Sequence, residues 1–147
     1  METITNVYVN REFNCSAAKL YKWLTLPTLI AQWFGPKKII AINVEVDLVI
    51  GGKFSVQLMK PNNELFFIEG NYLEIQQPEK LSFSFKYRGL ENPSPDSIVS
   101  ISLKETSEGV TKLNLIQEFK TIPNDMEGRT NAWNYMLEKI GKEVDQN

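Results

Sequence analysis

The stretch NAWNYMLEKIGKEV, residues 131–144, decides the fold. Trp133, Leu137 and Ile140 recur in it at the spacing of one helix face, and charged side chains occupy the opposite side. No proline interrupts the segment from Asp125 onward, so the helix can be long. A helix of this kind must bury its apolar face and therefore requires a large apolar partner elsewhere in the chain.

That partner is predicted by an alternation of apolar and polar residues that continues for about 80 residues before the helix. The alternation divides into six strands, near residues 39–46, 53–60, 64–75, 80–88, 97–105 and 110–120. Short segments with glycine, proline or asparagine separate most of them, which predicts an antiparallel meander. The longest gap, 89–96, predicts a mobile loop that is either a connector or the rim or lid of a site.

The amino-terminal part of the chain adds one strand and two short helices. Residues 4–13 alternate and predict a strand whose apolar face also carries Arg11. Ser16 is a suitable N-cap for a helix over Ala17–Leu24, and Pro27 can begin a second helix. We expect an α+β fold in a single domain that spans residues 1–147.

Composition excludes several functions. The chain carries 16 Lys and Arg against 18 Asp and Glu, and its small net charge of −2 argues against a nucleic-acid partner. Histidine is absent, so imidazole bases, Ser/His pairs and histidine metal ligands are excluded. The single cysteine, Cys15, can form neither an internal disulfide nor a zinc cluster. We expect a cytoplasmic protein without metal, cofactor or membrane span.

Several short motifs follow one another along nearly the whole chain. They are Arg11-x-Phe13, Trp33-x-Gly35-Pro36, Asp47-x-x-x-Gly51-Gly52-x-Phe54, Gly70-x-Tyr72-x-Glu74-Ile75-x-x-Pro78-x-x-Leu81, Ser97-x-Val99-x-Ile101-x-Leu103, and a tryptophan-led last helix at Trp133. In this order they resemble the domain family named for the activator of heat-shock-protein-90 ATPase homologue. That family lies within the START or birch-pollen-allergen-like helix-grip superfamily.

The resemblance implies a helix-grip fold, in which a curved antiparallel sheet of about seven strands wraps around the long carboxy-terminal helix and leaves a cavity between them. Two departures leave the fold unaffected: Ala132 stands where the family usually has glycine, and Cys15 stands where it tends to have alanine. The chain starts at the first strand of this domain. We therefore expect that the separate amino-terminal domain of the eukaryotic co-chaperones is not present.

The predicted ligand-binding residues face the implied cavity from both sides. From the sheet they are Phe54, Val56, Leu58, Phe83, Phe85, Val99, Ile101 and Leu103, and from the helix Trp133, Met136 and Leu137. A pocket of this composition would be mostly apolar. The alternative is a core in which these large side chains fill the space.

Polar residues on the predicted inner face need partners. Gln117 interrupts an apolar face and is expected to bond either to a ligand or to a neighbouring group. Arg11 is expected to pair with Glu69 or Asp47, or to bind an acidic ligand.

Other candidates carry weaker signals. Glu69 is the best catalytic candidate in a chain without histidine, because a carboxylate beside an apolar cavity can act as an acid or a base. The alternative is a salt-bridged or solvent-facing glutamate. Trp33 and Phe34 are candidates for the entrance and gate of the pocket, although a tryptophan at a helix end also fits the core.

Three functions follow as hypotheses. The first is binding of a small hydrophobic or amphipathic ligand between sheet and helix. The second is binding and activation of a heat-shock-protein-90-type ATPase, as the family name suggests. The third is a cyclase- or dehydratase-like enzyme that uses Glu69 or Tyr72. The chain is expected to be a monomer, or a homodimer through the sheet edge or the outer helix face.

Overall fold

The computed structural model of the chain describes residues 6–91 and 95–145. Over these residues the elements follow in the order β1 (Asn6–Phe13), α1 (Ala17–Thr25), α2 (Pro27–Trp33), β2 (Ile40–Val46), β3 (Lys53–Met59), β4 (Leu65–Gln76), β5 (Lys80–Arg88), β6 (Ser97–Ser107), β7 (Val110–Phe119) and α3 (Met126–Val144). The predicted α+β helix-grip fold is confirmed. The centre of the expected 89–96 loop, residues 92–94, lies outside the described residues.

The strands form one antiparallel sheet in the order β1-β7-β6-β5-β4-β3-β2. Strands β2 to β7 are the predicted meander, and β1 joins its far end by pairing with β7. Strands β1 and β2 are therefore the two edges of the sheet. Alternation gives the sheet one apolar face, against which α3 packs.

The buried face of α3 is the face predicted from its spacing. Trp133, Leu137, Ile140 and Val144 are all at most 3% exposed. The helix begins at the predicted place because the side chain of Asp125 accepts a hydrogen bond of 3.0 Å from the Gly128 N–H. No helix in the described ranges is long and apolar enough to cross a membrane.

The partner of Arg11 differs from the prediction. Its guanidinium lies 3.7 Å from the carboxylate of Asp145 at the end of α3, not beside Glu69 or Asp47. It also packs on the helix backbone at Gly141, where an added Cβ would lie 2.9 Å from the Arg11 Cζ. The expected ion pair therefore exists, but it joins β1 to the carboxy-terminal end of α3.

The β4 and β5 backbones come very close at Gly70. A Cβ at this position would overlap the Ser84 carbonyl oxygen and would lie 2.6 Å from the Ser84 carbonyl carbon. The pairing register shifts just beyond it, between Tyr72 and Glu74, which marks a bulge that increases local twist and bending. Glycine is required here because a neighbouring backbone, not a movable side chain, occupies the space.

We predict that Gly70→Ala lowers the free energy of unfolding by about 1–3 kcal/mol, because the strands must move apart to admit the methyl group. Urea denaturation measures the change. Ser55→Ala, on the adjacent strand β3 and opposite Glu69 in the register, is the matched control; it should change stability by less than about 0.5 kcal/mol. Equal stability of the two variants would contradict the close approach.

Candidate functional site

A cavity opens between the amino-terminal half of α3, the apolar face of the sheet and the turn that follows α2. Its volume is about 400 Å³. The lining residues are Phe34, Pro36, Ile68, Phe85, Tyr87, Gln117, Asn124, Asp125, Gly128, Arg129, Ala132, Trp133 and Met136. We call this part the inner chamber.

A second cavity of about 530 Å³ adjoins it, and Pro36, Ile68 and Tyr87 line both. Its remaining lining residues are Ile39, Lys60, Phe66, Leu90 and Glu91. We call this part the outer chamber and the two parts together the groove. Each chamber lies within the range of about 300–1,000 Å³ that is usual for small-molecule sites.

Aromatic rings form much of the inner chamber. Phe34 stacks on Phe85 with 6.4 Å between ring centroids and meets Trp133 edge-on at 6.5 Å. Phe85 also contacts Trp133 at 6.0 Å and Tyr87 at 5.6 Å. Ring pairs at these separations attract one another, so the four rings form a continuous apolar wall.

Gln117 connects the sheet to α3 within this wall. The Trp133 indole N–H donates to the Gln117 Oε1 over 2.8 Å, and the Gln117 Nε2 donates to the Ser97 Oγ over 2.8 Å. All three residues are at most 3% exposed. The sequence left two kinds of partner open for Gln117, a ligand or a neighbouring group, and the structure shows neighbouring groups. A carboxamide has two N–H donors and two carbonyl lone pairs, so these two bonds leave it further capacity.

The polar end of the inner chamber lies at the start of α3. The Arg129 Nε donates to the Asn124 carbonyl oxygen over 2.9 Å, and its Nη2 donates to the Asn124 Oδ1 over 3.2 Å. The Arg129 guanidinium also lies over the Phe119 ring, 5.2 Å from its centroid. Polar groups therefore stand at this end of the groove and aromatic rings in its middle.

The turn after α2 is held to α3 at Gly35. The Gly35 N–H donates to the Met136 Sδ over 3.2 Å, and the Lys139 Nζ donates to the Gly35 carbonyl oxygen over 3.1 Å. Burial lowers the pKa of Lys139. Gly35 has a φ of 123°, which favours glycine. These contacts fix Phe34 and Pro36 against the groove.

The predicted ligand-binding residues divide between the groove and the filled core. Of the predicted residues, only Phe34, Phe85, Gln117, Trp133 and Met136 line the groove. Next to it lies a space of about 20 Å³, the size of a single water molecule, whose lining includes Trp33, Phe54, Val56, Phe83 and Ile101. The buried residues Leu58, Val99, Leu103 and Leu137 do not line the groove either. Large side chains fill this part of the core.

For the polar and catalytic candidates, the structure shows the alternatives that the sequence left open. Glu69 faces away from the groove, and its Oε1 accepts a hydrogen bond of 3.1 Å from the Arg88 Nε. Tyr72 is buried, and burial raises the pKa of its hydroxyl, with a smaller contribution from Tyr21. Trp33 is a core residue, since it is 4% exposed and its indole N–H donates to the Trp23 carbonyl oxygen over 2.7 Å. Glu69 and Tyr72 do not line the groove.

Sequence reasoning missed several groove residues. Tyr87 continues the alternation of Phe83 and Phe85 within a predicted strand, so the same rule would have identified it. Arg129 and Asn124 carried no such signal, because their place in the groove depends on how α3 crosses the sheet.

Comparisons with known proteins agree with this fold. A family model described as Activator of Hsp90 ATPase homolog 1-like protein matches residues 14–145. A search of curated proteins gave no match.

Several solved bacterial structures are similar over nearly the whole chain. Protein CV1439 from Chromobacterium violaceum has a TM-score of 0.86 at 21% identity, covering 97% of this chain and 98% of the other. Protein NE0264 from Nitrosomonas europaea has a TM-score of 0.81 at 25% identity, with coverages of 96% and 94%. The AHSA1 protein SPO3351 from Silicibacter pomeroyi has a TM-score of 0.75 at 16% identity, with coverages of 95% and 97%. These likenesses show the fold.

We predict that Gln117→Leu lowers the free energy of unfolding by about 1–3 kcal/mol, because the buried indole N–H of Trp133 loses its acceptor. In a Trp133→Phe background, where that N–H is gone, the same substitution should cost about 1 kcal/mol less. Chemical denaturation of the four proteins of this cycle measures the difference. The same cost in both backgrounds would show that the bond contributes nothing.

Proposed function

The chain belongs to the Activator of Hsp90 ATPase homolog 1-like family, and from that premise we propose that it binds a small hydrophobic or amphipathic molecule in the groove. The observation that supports this proposal is the open inner chamber of about 400 Å³ beside a closed core. The groove combines a lining of aromatic rings with access from solvent, whereas the core next to it is filled.

The lining indicates the chemistry of the ligand. Phe34, Phe85 and Trp133 offer apolar surface on which a ring or a branched hydrocarbon can pack. The carboxamide of Gln117 stands among these rings with bonding capacity to spare. A ligand with an apolar body and one or two hydrogen-bonding groups matches this arrangement.

The ends of the groove are more polar than its middle. Asn124, Asp125 and Arg129 border the inner chamber at the start of α3, while Lys60 and Glu91 border the outer chamber. A polar group of the ligand can therefore remain near these residues while its apolar part enters the aromatic wall. This is why we include amphipathic molecules. We propose no reaction, because the predicted acid–base candidates Glu69 and Tyr72 do not line the groove.

The test uses one pair of neighbouring residues on α3. Ala132 is half-buried and lines the inner chamber, whereas Asn131 is exposed on the helix. Ala132→Trp should fill the chamber, and Asn131→Trp adds the same side chain outside it. The probes are N-phenyl-1-naphthylamine, followed by fatty acids, sterols and flavonoids in a thermal-shift screen. A ligand at about 100 times its Kd should add roughly 2.7 kcal/mol of stability to the unmodified protein.

The expected result is saturable binding by the unmodified chain and by Asn131→Trp, with at least a tenfold loss in Ala132→Trp. Circular dichroism of both variants checks that each is folded. Equal binding by the two variants would place the ligand elsewhere. No binding of any probe by the unmodified chain would reject the groove as a site for these classes.

The second candidate is binding and activation of an Hsp90-type ATPase, which the description of the family favours. Here the outer surface would act and the groove would not be needed. We expect no stimulation when the purified chain is added to an Hsp90-type ATPase in a steady-state phosphate-release assay. Stimulation that persists in Ala132→Trp would support this candidate over ligand binding.

A further inference from the structure

Strand β2 exposes large apolar side chains to solvent. Ile40 is 53% exposed and Ile42 is 46% exposed, and the loop that follows adds Val49 and Ile50 at 54% and 64%. The pairing with β3 shifts register between Ala41 and Asn43, so Ile42 is the extra residue of a bulge in the middle of the strand. A bulge twists an edge strand and by itself hinders pairing, so the case for pairing rests on the exposed isoleucines and on the unpaired backbone groups of this edge.

Among the residues that the structure describes, no strand lies beside the outer backbone edge of β2. Strand β2 is the last strand of the sheet and pairs only with β3. Within the described residues, no other backbone hydrogen bond involves the strand. Helices pack beside both edge strands, α2 beside β2 and α3 beside β1, but the exposed side chains of β1 are Tyr8, Asn10 and Glu12, whereas those of β2 include two isoleucines. The two edges are therefore not equivalent.

Charges at the two ends of β2 are opposite in sign. Lys37 and Lys38 precede the strand, while Glu45 and Asp47 lie at its end, and all four are exposed. Within the described parts of the chain, none of the four has an ion-pair partner within 4.0 Å. A strand that is basic at one end and acidic at the other is complementary to a second copy of itself in the antiparallel direction.

We propose that β2 pairs with β2 of a second copy of this chain, across a two-fold axis near Ile42, to form a homodimer with a sheet continuous through both subunits. Lys37 and Lys38 of each copy then lie near Glu45 and Asp47 of the other. The apolar side chains of Ile40 and Ile42 become covered in the same step. This inference does not depend on the proposed ligand.

The strength of such a dimer follows from its size. One pair of short strands with two isoleucines on each side buries less than the roughly 1,200 Å² of a stable interface. The association should therefore be weak and reversible, with a Kd of the order of micromolar to hundreds of micromolar. Sedimentation velocity over a concentration series is the suitable measurement, and we expect a concentration-dependent shift from monomer to dimer.

Charge reversal tests the antiparallel arrangement directly. Lys37→Glu with Lys38→Glu makes both ends of the strand acidic, and Glu45→Lys with Asp47→Lys makes both ends basic. Each double variant alone should dimerise at least tenfold more weakly than the unmodified chain, because like charges then face each other. Mixing the two should restore association as a heterodimer. No association on mixing, with both variants folded by circular dichroism, would overturn the proposal.

Substitution of the apolar contact gives an independent test. Ile42→Lys should abolish the dimer, whereas Ile122→Lys, at a residue that is 64% exposed in the loop before α3, should leave it unchanged. A dimer that survives Ile42→Lys would show that another surface is used. A monomer throughout the series up to about 500 µM would also overturn the proposal, since that exceeds the expected range. Ala132→Trp should still dimerise, so the test of dimerisation is independent of the test of ligand binding in the groove.

Discussion

The rest of the structure depends on how α3 packs against the sheet. The carboxy-terminal end of the helix packs closely (the tight end), and its amino-terminal end does not (the loose end). Ile140 and Val144 are fully buried near the carboxy terminus of the helix, whereas Gly128, Arg129 and Ala132 are only half-buried. At the tight end, Gly141 has no side chain and Arg11 packs directly on its backbone. At the loose end, three aromatic rings stand between helix and sheet. The closed core and the open groove are therefore two consequences of one helix position.

The boundary between these two regions lies at Gln117. A buried carboxamide without partners would cost about 1–3 kcal/mol, so the helix must present a donor at this depth. The indole N–H of Trp133 meets that requirement over 2.8 Å. Because an indole donates in one direction only, the bond also restricts the rotation of α3 about its axis. The same bond thus stabilises the core and orients one wall of the groove.

Much of the fold could be predicted from the sequence, because the periodicity of apolar residues and the capping of a helix are local properties. The strand alternation, the N-cap at Ser16 and the buried face of α3 all follow from side chains close together in the chain. The site was less predictable. The alternation of side chains along β4 alone indicates that Glu69 lies on the outer face of the sheet, since its neighbours Ile68 and Gly70 are buried on the inner face. The partner of Arg11 and the position of Arg129 could not be predicted in this way, because both depend on how far α3 extends across the sheet.

One short segment connects the groove to the free edge of the sheet. Pro36 and Ile39 line the groove, Lys37 and Lys38 between them are exposed, and β2 begins at the next residue. The segment is anchored at Gly35 by its bonds to Met136 and Lys139. A ligand that moved this segment would also move the lysines at the start of the edge strand. Any resulting change in pairing between copies must be matched by an equal change in ligand affinity, since coupling between two binding equilibria is reciprocal.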